Sequence, residues 1–440
     1  MRLAQLALLA ALGLSTLVSG AFVFSSLLER KHRAAGIAAI PTVIGIVLVV
    51  IVSALWTPPD WLSWIIAAGF VFLVLLFFFP FSSPAPLKTG PITEQVDERD
   101  TMFAREEYEP ESQKYEAYYA SHPEKKAADD RLRDLPPILS PGGRFYDPVV
   151  ATEIQAVFDT IKQMTTDVDG ELSKEKVVVL PEVMTARIKQ LVRDLGADEA
   201  GIARLNPMFV YSHVGRGPEP WGAPISNNHA YAIVYTLEMD YSRVEQAPDL
   251  PITEEAARQY LRAAQISVAL ARHIRRLGYS ARAHISDSNY QIMLPPVAQD
   301  AGLGEVGRLG YLISRKYGPR VRLGGVTTNL PLVIDDPKPF SVQDFCRSCI
   351  KCAINCPSNA IPLGEKTEVR GVEKWQLDVE KCLYTWRVFG TDCGLCMKVC
   401  PYSHPPTFVH NLVRRAIRRS PFARWLSVRA DDLFYGRDQV

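Results

Sequence analysis

Three long apolar stretches open the chain and contrast with the mixed sequence that follows. They run from Leu3 to Leu28, from Gly36 to Trp56 and from Trp61 to Phe81. Because a helix needs about 20 apolar residues to cross the hydrocarbon core of a bilayer, each stretch predicts a transmembrane helix. Aromatic rings favour the membrane–water boundary, and three tryptophans cluster around the second connection, Trp56, Trp61 and Trp64.

Positive charges in the first connection set the predicted orientation. That connection carries three basic side chains, Arg30, Lys31 and Arg33. The connection from Thr57 to Asp60 contains no lysine or arginine. Because basic connections stay on the cytoplasmic side, we expect a multi-pass inner-membrane protein whose chain after Phe81 lies in the cytoplasm. An alternative interpretation takes Met1 to Ala21 as a signal sequence, which places the bulk of the chain outside.

The pattern changes after the apolar stretches. Residues 82–144 are polar and lack clear periodicity, which predicts a linker that wraps the next domain. Between residues 145 and 335, short apolar runs alternate with amphipathic segments, as in α/β proteins. Several runs are apolar on both faces, so we expect helices on both sides of the sheet. The predicted strands are Val177–Leu180, Gly201–Leu205, Ala230–Leu237 and Val321–Ile334, and the predicted helices are Pro181–Leu195 and Thr253–Leu277.

One predicted helix carries a strip of small side chains headed by a tyrosine. Its members recur at three- and four-residue steps, which places them on one face of the helix. They are Tyr260, Ala264, Ser267 and Ala271. Such a strip is typical of tight helix packing with a tyrosine in the core. The alternative is that a flat ligand lies on the strip and that the phenol serves it.

The stretch from Gly302 to Gly307 matches the pattern GxGxxG. A dinucleotide site also needs a buried strand before the pattern and an acidic residue about 20 positions after it. Two prolines interrupt the preceding segment, and no acidic residue lies between Glu305 and Asp335. The sequence therefore disfavours a dinucleotide site. We expect instead that Gly302 and Gly304 let backbone amides approach a large cofactor.

Eight cysteines in the last third of the chain give the strongest chemical signal. The first run has the spacing C-x2-C-x2-C-x3-C-P, and the second has C-x10-C-x2-C-x3-C-P. In such runs three thiolates bind one iron–sulfur cube and the cysteine before proline binds a neighbouring cube. One predicted [4Fe-4S] cluster therefore has the ligands Cys346, Cys349, Cys352 and Cys400. The other has the ligands Cys356, Cys382, Cys393 and Cys396.

Structural zinc and disulfides are the competing interpretations of these cysteines. Zinc explains paired CxxC units but not the C-x3-C-P tails. Disulfides suit small secreted domains, whereas this chain has 440 residues. Two clusters use all eight thiolates, so we expect one-electron chemistry. The net charge of +1 gives no indication of a nucleic-acid partner.

The stretch from Tyr231 to Pro401 resembles the reductive dehalogenases and the related epoxyqueuosine reductases, which are corrinoid and iron–sulfur enzymes. DERDTMFAREEYEP, from Asp97, is similar to the dehalogenase branch. The other motifs that carry the resemblance are AYAIVYTLEMDYS from Ala230, AGLGEVGRLGYLISRKYGPRVRL from Ala301, TTNLPL from Thr327 and FCRSCIKCAINCPSNAI from Phe345. The resemblance implies a nitroreductase-like α/β domain that binds cobalamin, fused to a bacterial-ferredoxin-like domain with two clusters.

The predicted organisation combines this resemblance with the apolar stretches. It has five parts: three transmembrane helices (1–81), a polar wrapping segment (82–144), a corrinoid-binding catalytic domain (145–335), a 2x[4Fe-4S] ferredoxin-like domain (336–408) and a basic C-terminal tail (409–440).

The resemblance also implies a substrate pocket above the corrin, with a tyrosine proton donor and a supporting basic residue. Carried over by motif, the tyrosine is Tyr260 and the basic residue is Arg322. The pocket asparagine or serine is Asn289 or Ser288, and we assign Asn289 to catalysis and Ser288 to the cofactor. Replacing carbon–halogen by carbon–hydrogen consumes two electrons and one proton, so a donor with an acidic O–H is needed. A permanently charged guanidinium beside it stabilises the phenolate.

The sequence therefore predicts a membrane-anchored reductive dehalogenase with two [4Fe-4S] clusters, cobalamin and a small organohalide-like substrate. Its electron donor, a quinol, a ferredoxin or a membrane reductase, leaves no mark in the sequence. One alternative is an epoxyqueuosine reductase. Asp287-Ser288 matches the aspartate motif of that family only weakly. The other is a membrane electron-transfer protein without chemistry of its own. Typical respiratory dehalogenases carry a twin-arginine export signal and dock on a separate membrane protein, whereas this chain brings three apolar spans.

Overall fold

The computed structural model describes residues 2–81, 91–286 and 290–438. In chain order its α-helices are α1 (Leu3–Leu28), α2 (His32–Val50), α3 (Asp60–Phe78), α4 (Met102–Arg105), α5 (Gln113–Ser121), α6 (Pro123–Arg133), α7 (Pro148–Gln163), α8 (Pro181–Asp194), α9 (Tyr241–Val244), α10 (Leu250–Arg276), α11 (Leu294–Asp300), α12 (Val342–Cys349), α13 (Lys351–Ile354), α14 (Val379–Phe389), α15 (Leu395–Lys398), α16 (Phe408–Ile417) and α17 (Pro421–Tyr435). The strands are β1 (Glu199–Arg204), β2 (Tyr231–Glu238), β3 (Ala281–His284), β4 (Gly304–Val306), β5 (Leu312–Ser314), β6 (Val321–Thr328), β7 (Thr367–Val369) and β8 (Val372–Lys374). Two compact units result: unit 1 comprises Met1–Ala85, Phe340–Lys351 and His404–Val440, and unit 2 comprises Pro86–Pro339 and Cys352–Ser403.

Unit 1 contains the three predicted spans. Helices α1 to α3 are long and apolar enough to cross a membrane, with α2 continued by a π-helical turn over Ile51–Leu55. The second span therefore begins at His32, earlier than predicted. Gln5 Nε2 donates a hydrogen bond of 2.8 Å to the Val52 carbonyl oxygen, which satisfies a polar group where lipid offers no partner. Small side chains let α2 approach its neighbours closely, and Ala34, Ala35 and Ala38 are buried.

The two C-terminal helices lie against these spans within unit 1. Ser420 Oγ donates a hydrogen bond of 2.8 Å to the carbonyl oxygen of Leu76, near the end of α3. The ring of Phe22 in α1 meets the ring of Phe434 in α17 edge-on, with centroids 4.7 Å apart. The segment predicted as a basic tail is therefore largely helical and packed.

Unit 2 is built on a four-stranded antiparallel sheet with the order β1-β2-β6-β3. In the central strand β2, Ile233 is opposite Ile202 of β1 and Val326 of β6, and all three side chains are fully buried. Helix α10 crosses the sheet, and the Tyr235 hydroxyl of β2 donates to the Ala263 carbonyl oxygen of α10 over 2.6 Å. The predicted mixed α/β class is confirmed at this level.

Two predicted strands of unit 2 need correction. Residues 177–180 form no strand, and Val178 is 94% exposed. In the described part of the chain no strand pairs with this apolar run, and the Val177 N–H donates instead to the Leu277 carbonyl oxygen just after α10. The predicted strand Val321–Ile334 ends at Thr328, whose hydroxyl accepts a hydrogen bond from the Leu330 N–H. Elsewhere α8, α10, β1 and β2 lie where the periodicity places them.

Residues 91–144 of the polar segment form short helices and a small core of their own. Arg105 forms a buried ion pair of 2.6 Å with Asp129, which also accepts a hydrogen bond from the Tyr119 hydroxyl. The segment lacks an apolar period because its small core is made of tyrosines whose hydroxyls bond to polar partners. The tyrosines are Tyr108, Tyr115, Tyr118 and Tyr119.

Candidate active site and cluster pocket

The predicted proton donor and its basic partner meet in unit 2. Tyr260 lies on α10, and Arg322 lies on β6 opposite Leu237 of β2. The guanidinium carbon of Arg322 is 5.1 Å from the centroid of the Tyr260 ring. This is the distance of a cation–π contact, which is stronger away from water. The structure thus brings together the two residues that the sequence motifs single out.

A carboxylate that sequence reasoning missed holds Arg322 in place. Arg322 Nη2 lies 3.2 Å from Asp392 Oδ2, and the two side chains are only 10% and 16% exposed. The Asp392 N–H donates to Thr253 Oγ1 over 2.9 Å, which fixes the carboxylate relative to α10. Burial lowers the pKa of Arg322, but the neighbouring Tyr260 and Asp392 raise it above its usual value. Arg322 therefore remains charged.

Two further tyrosines, Tyr290 and Tyr311, adjoin the pair. Burial raises the pKa of both phenols well above the usual value, and nearby Tyr260 adds to this effect. Both therefore stay protonated. The charges of Cys396 and Cys382 also raise the pKa of Tyr311. Tyr311 lines the pocket of these cysteines and packs with Tyr260 against the same apolar cluster.

Four cysteines of unit 2 line one pocket together with Tyr311 and Asp392. They are Cys356, Cys382, Cys393 and Cys396. This is the set that the spacing assigns to one cluster. Tyr260, Tyr311, Cys393 and Cys396 also pack against a single apolar cluster, so the pocket and the tyrosine–arginine pair are contiguous.

The pocket has the chemistry of a metal-cluster site. The Ala360 N–H donates to Cys356 Sγ over 3.3 Å, and hydrogen bonds to sulfur are among the features that tune iron–sulfur clusters. Burial raises the pKa of Cys382 to about 12 and that of Cys393 to about 11. A bound metal ion converts such thiols into thiolates. The convergence of four cysteines in one pocket is the donor set that an iron–sulfur cluster needs.

The remaining cysteines divide between the units. Cys352 and Cys400 are buried in unit 2. Cys346 and Cys349 lie at the end of α12 in unit 1, where burial raises the pKa of Cys349 to about 12. Their common ligation of a second cluster stays a prediction from spacing.

The strip of small residues on α10 is part of the protein core. Ala264, Ser267 and Ala271 are fully buried. Ser267 Oγ lies 2.8 Å from the Tyr235 hydroxyl and donates to the Gly325 carbonyl oxygen over 3.1 Å. The strip thus serves close packing of α10 on the sheet. The interpretation that a flat ligand lies on these three residues is wrong. Only Tyr260, at its head, reaches the candidate site.

The glycine turn also contacts its own chain. It follows helix α11 rather than a strand, so the pattern is not a dinucleotide fingerprint. A Cβ on Gly302, whose φ is +74°, would lie 2.7 Å from the Asp336 carbonyl oxygen. One on Gly304 would lie 2.3 Å from the Ile313 carbonyl oxygen. Close backbone packing accounts for both glycines, and their contact with a cofactor stays a prediction.

Two predicted pocket residues, Ser288 and Asn289, lie outside the described residues, as does Asp287. Strand β3 precedes these three residues in the sequence, and its last residue, His284, is opposite Gly325 of β6. Just before them, the buried Ser286 hydroxyl has no hydrogen-bond partner among the described residues, and the same holds for Arg322 Nε. Buried polar atoms are normally satisfied, so these two atoms are candidates for contact with groups outside the described residues.

In unit 2, a pocket lined by four cysteines adjoins the tyrosine–arginine pair, an arrangement expected of an iron–sulfur protein. The profile of a 4Fe-4S dicluster domain matches residues 345–404. A tetrachloroethene reductive dehalogenase from Desulfitobacterium hafniense is 33% identical over 276 residues, which are 52% of this chain and 50% of the relative. A reductive dehalogenase structure that suggests a mechanism for B12-dependent dehalogenation has 28% identity and a TM-score of 0.62, covering 80% of this chain and 48% of that chain.

An epoxyqueuosine reductase from Lactococcus garvieae is 31% identical over 154 residues, 30% of this chain and 40% of the relative. The chain is thus similar to reductive dehalogenases, an oxidoreductase family, and the predicted resemblance is confirmed. It spans about half the length of the dehalogenases it matches.

The pairing of Arg322 with Asp392 leads to a stability prediction. Asp392→Asn leaves a buried guanidinium without its counter-charge, which costs about 3 kcal/mol, so the melting temperature should fall by roughly 5 °C or more. Thermal unfolding of the detergent-solubilised protein measures this. Asp167→Asn is the matched control, because its ion pair with Arg272 is about half exposed, with side chains 50% and 48% accessible. Equal decreases in the melting temperature of the two variants would show that the buried ion pair contributes no more stability than the exposed one.

Proposed function

We propose that this chain is a membrane-anchored, corrinoid-dependent reductive dehalogenase that receives electrons through two [4Fe-4S] clusters. The proposal rests on the position of the Arg322 guanidinium. Its carbon atom is 5.1 Å from the centroid of the Tyr260 ring, and its Nη2 atom is 3.2 Å from Asp392 Oδ2. Asp392 immediately precedes Cys393 in the cysteine pocket. A charged group that supports a phenol thus adjoins the place where a cluster is expected. The similarity to dehalogenases supports the same reaction.

In the proposed reaction an organohalide takes up two electrons and one proton and yields the hydrocarbon and a halide ion. Cobalamin, when bound, supplies the low-potential reductant for the carbon–halogen bond. Tyr260 holds the proton at its hydroxyl oxygen and donates it to the carbon. Arg322 stabilises the resulting phenolate, because its charge is permanent and largely screened from water. Asp392 positions Arg322, and bulk water then returns the proton to Tyr260.

The residues that would hold the cofactors follow from spacing and burial. For one cluster we propose Cys356, Cys382, Cys393 and Cys396, supported by their common pocket. For the other we propose Cys346, Cys349, Cys352 and Cys400, supported by the spacing. The unpartnered Ser286 hydroxyl and Arg322 Nε are compatible with a large polar group such as a corrinoid. Ser288, Asn289, Gly302 and Gly304 remain proposed contacts.

We further propose that the soluble part faces the cytoplasm. The first connection carries the basic residues that favour this side. Glu29, in that connection, bonds to His410 of α16, and Leu76 near the end of α3 bonds to Ser420. The C-terminal helices therefore lie on the side of the first connection within unit 1. The electron donor, a quinol, a ferredoxin or a membrane reductase, reaches the protein from that side.

The activity is tested by halide release. Anaerobically purified protein, reconstituted with cobalamin, is expected to hold about eight irons and one cobalt per chain. With a strong reductant it should release halide from at least one member of a panel of aryl and alkyl halides. Cobalt that fails to bind would favour an electron-transfer protein. Cobalt that binds without halide release, combined with reduction of an epoxyqueuosine-containing tRNA, would favour an epoxyqueuosine reductase.

A further inference from the structure

A group of ionisable side chains in unit 1 has no role in the proposed reaction. Glu29 lies in the connection after α1, His404 lies before α16, and His410 lies within it. Their side chains are 1%, 12% and 10% exposed. Glu29 Oε1 is 2.7 Å from His410 Nε2, and Glu29 Oε2 is 3.1 Å from His404 Nδ1. One carboxylate and two imidazoles therefore converge in the interior of this unit.

Further polar and aromatic contacts surround these three side chains. Ser25 Oγ donates to Glu29 Oε1 over 3.1 Å. The imidazole rings of His404 and His410 are stacked, with centroids 4.6 Å apart and planes inclined by 6°. The second nitrogen of His404, Nε2, lies 3.4 Å from Asp431 Oδ1, and Asp431 is in turn paired with Lys351. A carboxylate at the far nitrogen is the usual support of a metal-binding histidine, because it fixes the ring and its tautomer.

We propose that Glu29, His404 and His410 bind a divalent transition-metal ion, with zinc as the best match to the donor set. Two imidazoles and one carboxylate are a well-known zinc ligand set. Their ligand atoms all lie within 4.8 Å of one another. Zinc ligands at about 2.0–2.1 Å lie roughly 3.3 Å apart in a tetrahedron. Because an imidazole binds a metal ion in its ring plane, binding requires the two stacked rings to turn relative to each other. Water, or the Tyr435 hydroxyl 3.5 Å from His410 Nε2, completes the four positions.

Charge balance supports a cation at this place. A buried carboxylate is costly unless a positive charge compensates it. A divalent ion held by Glu29, His404 and His410 would supply this compensating charge. The ion would also connect residues that are 381 positions apart in the sequence, so its role is to stabilise unit 1 rather than to transfer electrons.

The test uses the full-length, detergent-solubilised protein with its clusters loaded. After one equivalent of zinc is added and the excess is removed, about one zinc per chain should remain by elemental analysis. X-ray absorption at the zinc edge should show nitrogen and oxygen ligands at about 2.0–2.1 Å and no sulfur ligands at about 2.3 Å. A sulfur shell would place the zinc in cysteine positions and overturn the proposal. So would the retention of no zinc. Because this measurement uses the unsubstituted protein, it tests the proposal even where a variant fails to fold.

Variants then assign the ligands. His410→Gln and Glu29→Gln should each reduce retained zinc at least about tenfold, and Asp431→Asn should weaken zinc affinity by roughly 10- to 100-fold. Iron content should stay unchanged in all three variants. His32→Gln is the matched control, because this exposed histidine begins α2 close to Glu29 but is outside the ligand group. Zinc retention in His410→Gln equal to that of His32→Gln would overturn the assignment.

Discussion

Tyr260→Phe is expected to lower dehalogenation turnover by roughly 10²-fold or more, the loss typical of a missing general acid. The substitution removes one hydroxyl and keeps the ring that packs beside Arg322. The phenylalanine ring should therefore preserve the fold, while the proton must come from a slower source. Turnover, measured as halide release per cobalt, gives the result. Iron and cobalt contents of the variant should equal those of the unsubstituted protein.

Two further substitutions make the Tyr260 result specific. Tyr279→Phe removes a hydroxyl that donates to the Val177 carbonyl oxygen over 2.9 Å, in the core and apart from the candidate site. It should leave turnover nearly unchanged. Near-normal turnover in Tyr260→Phe would show that another phenol donates the proton. Tyr290 is the next candidate, and Tyr290→Phe would then show the large loss.

Cys393→Ser should reduce iron content by up to one cluster, from about eight irons toward about four, and bleach part of the near-ultraviolet shoulder. Serine supplies a harder oxygen at a position where the pocket offers three other thiols. Because this pocket adjoins Tyr260 and Arg322 through a shared apolar cluster, turnover should fall as well. Cys352→Ser, on the other predicted cluster, should also lower iron content.

Met397→Leu is the matched control for these cysteine variants. Met397 Sδ lies 4.0 Å from Arg322 Nη1, so the residue shares the neighbourhood of the pocket. A leucine of similar volume should retain about eight irons and full colour, since core swaps that conserve volume are well tolerated. Full iron content and colour in both serine variants would contradict the ligand assignment.

The sequence was most informative where a local pattern sufficed. The spans follow from runs of apolar residues, and the cysteine grouping follows from spacing within short segments. The Arg322–Asp392 pair could not be predicted in this way, because its members are 70 positions apart and meet only after the sheet has formed. The apolar run at 177–180 resembles a strand, yet no strand among the described residues pairs with it. The strip on α10 serves packing because Ser267 bonds to the Tyr235 hydroxyl of the sheet, a contact that the sequence pattern does not reveal.

The composition of unit 1 from both ends of the sequence determines the order of its assembly. The hydroxyls of Ser25 and Thr407 are 2.9 Å apart although 382 positions separate them, and Ser420 bonds to a residue 344 positions earlier. During translation the three apolar helices are synthesised long before α16 and α17. The whole of unit 2 is encoded between these parts. The C-terminal side of unit 1 can therefore pack against the apolar helices only after unit 2 has been synthesised, and a chain that stalls before Thr407 leaves Ser25 and Glu29 without these partners.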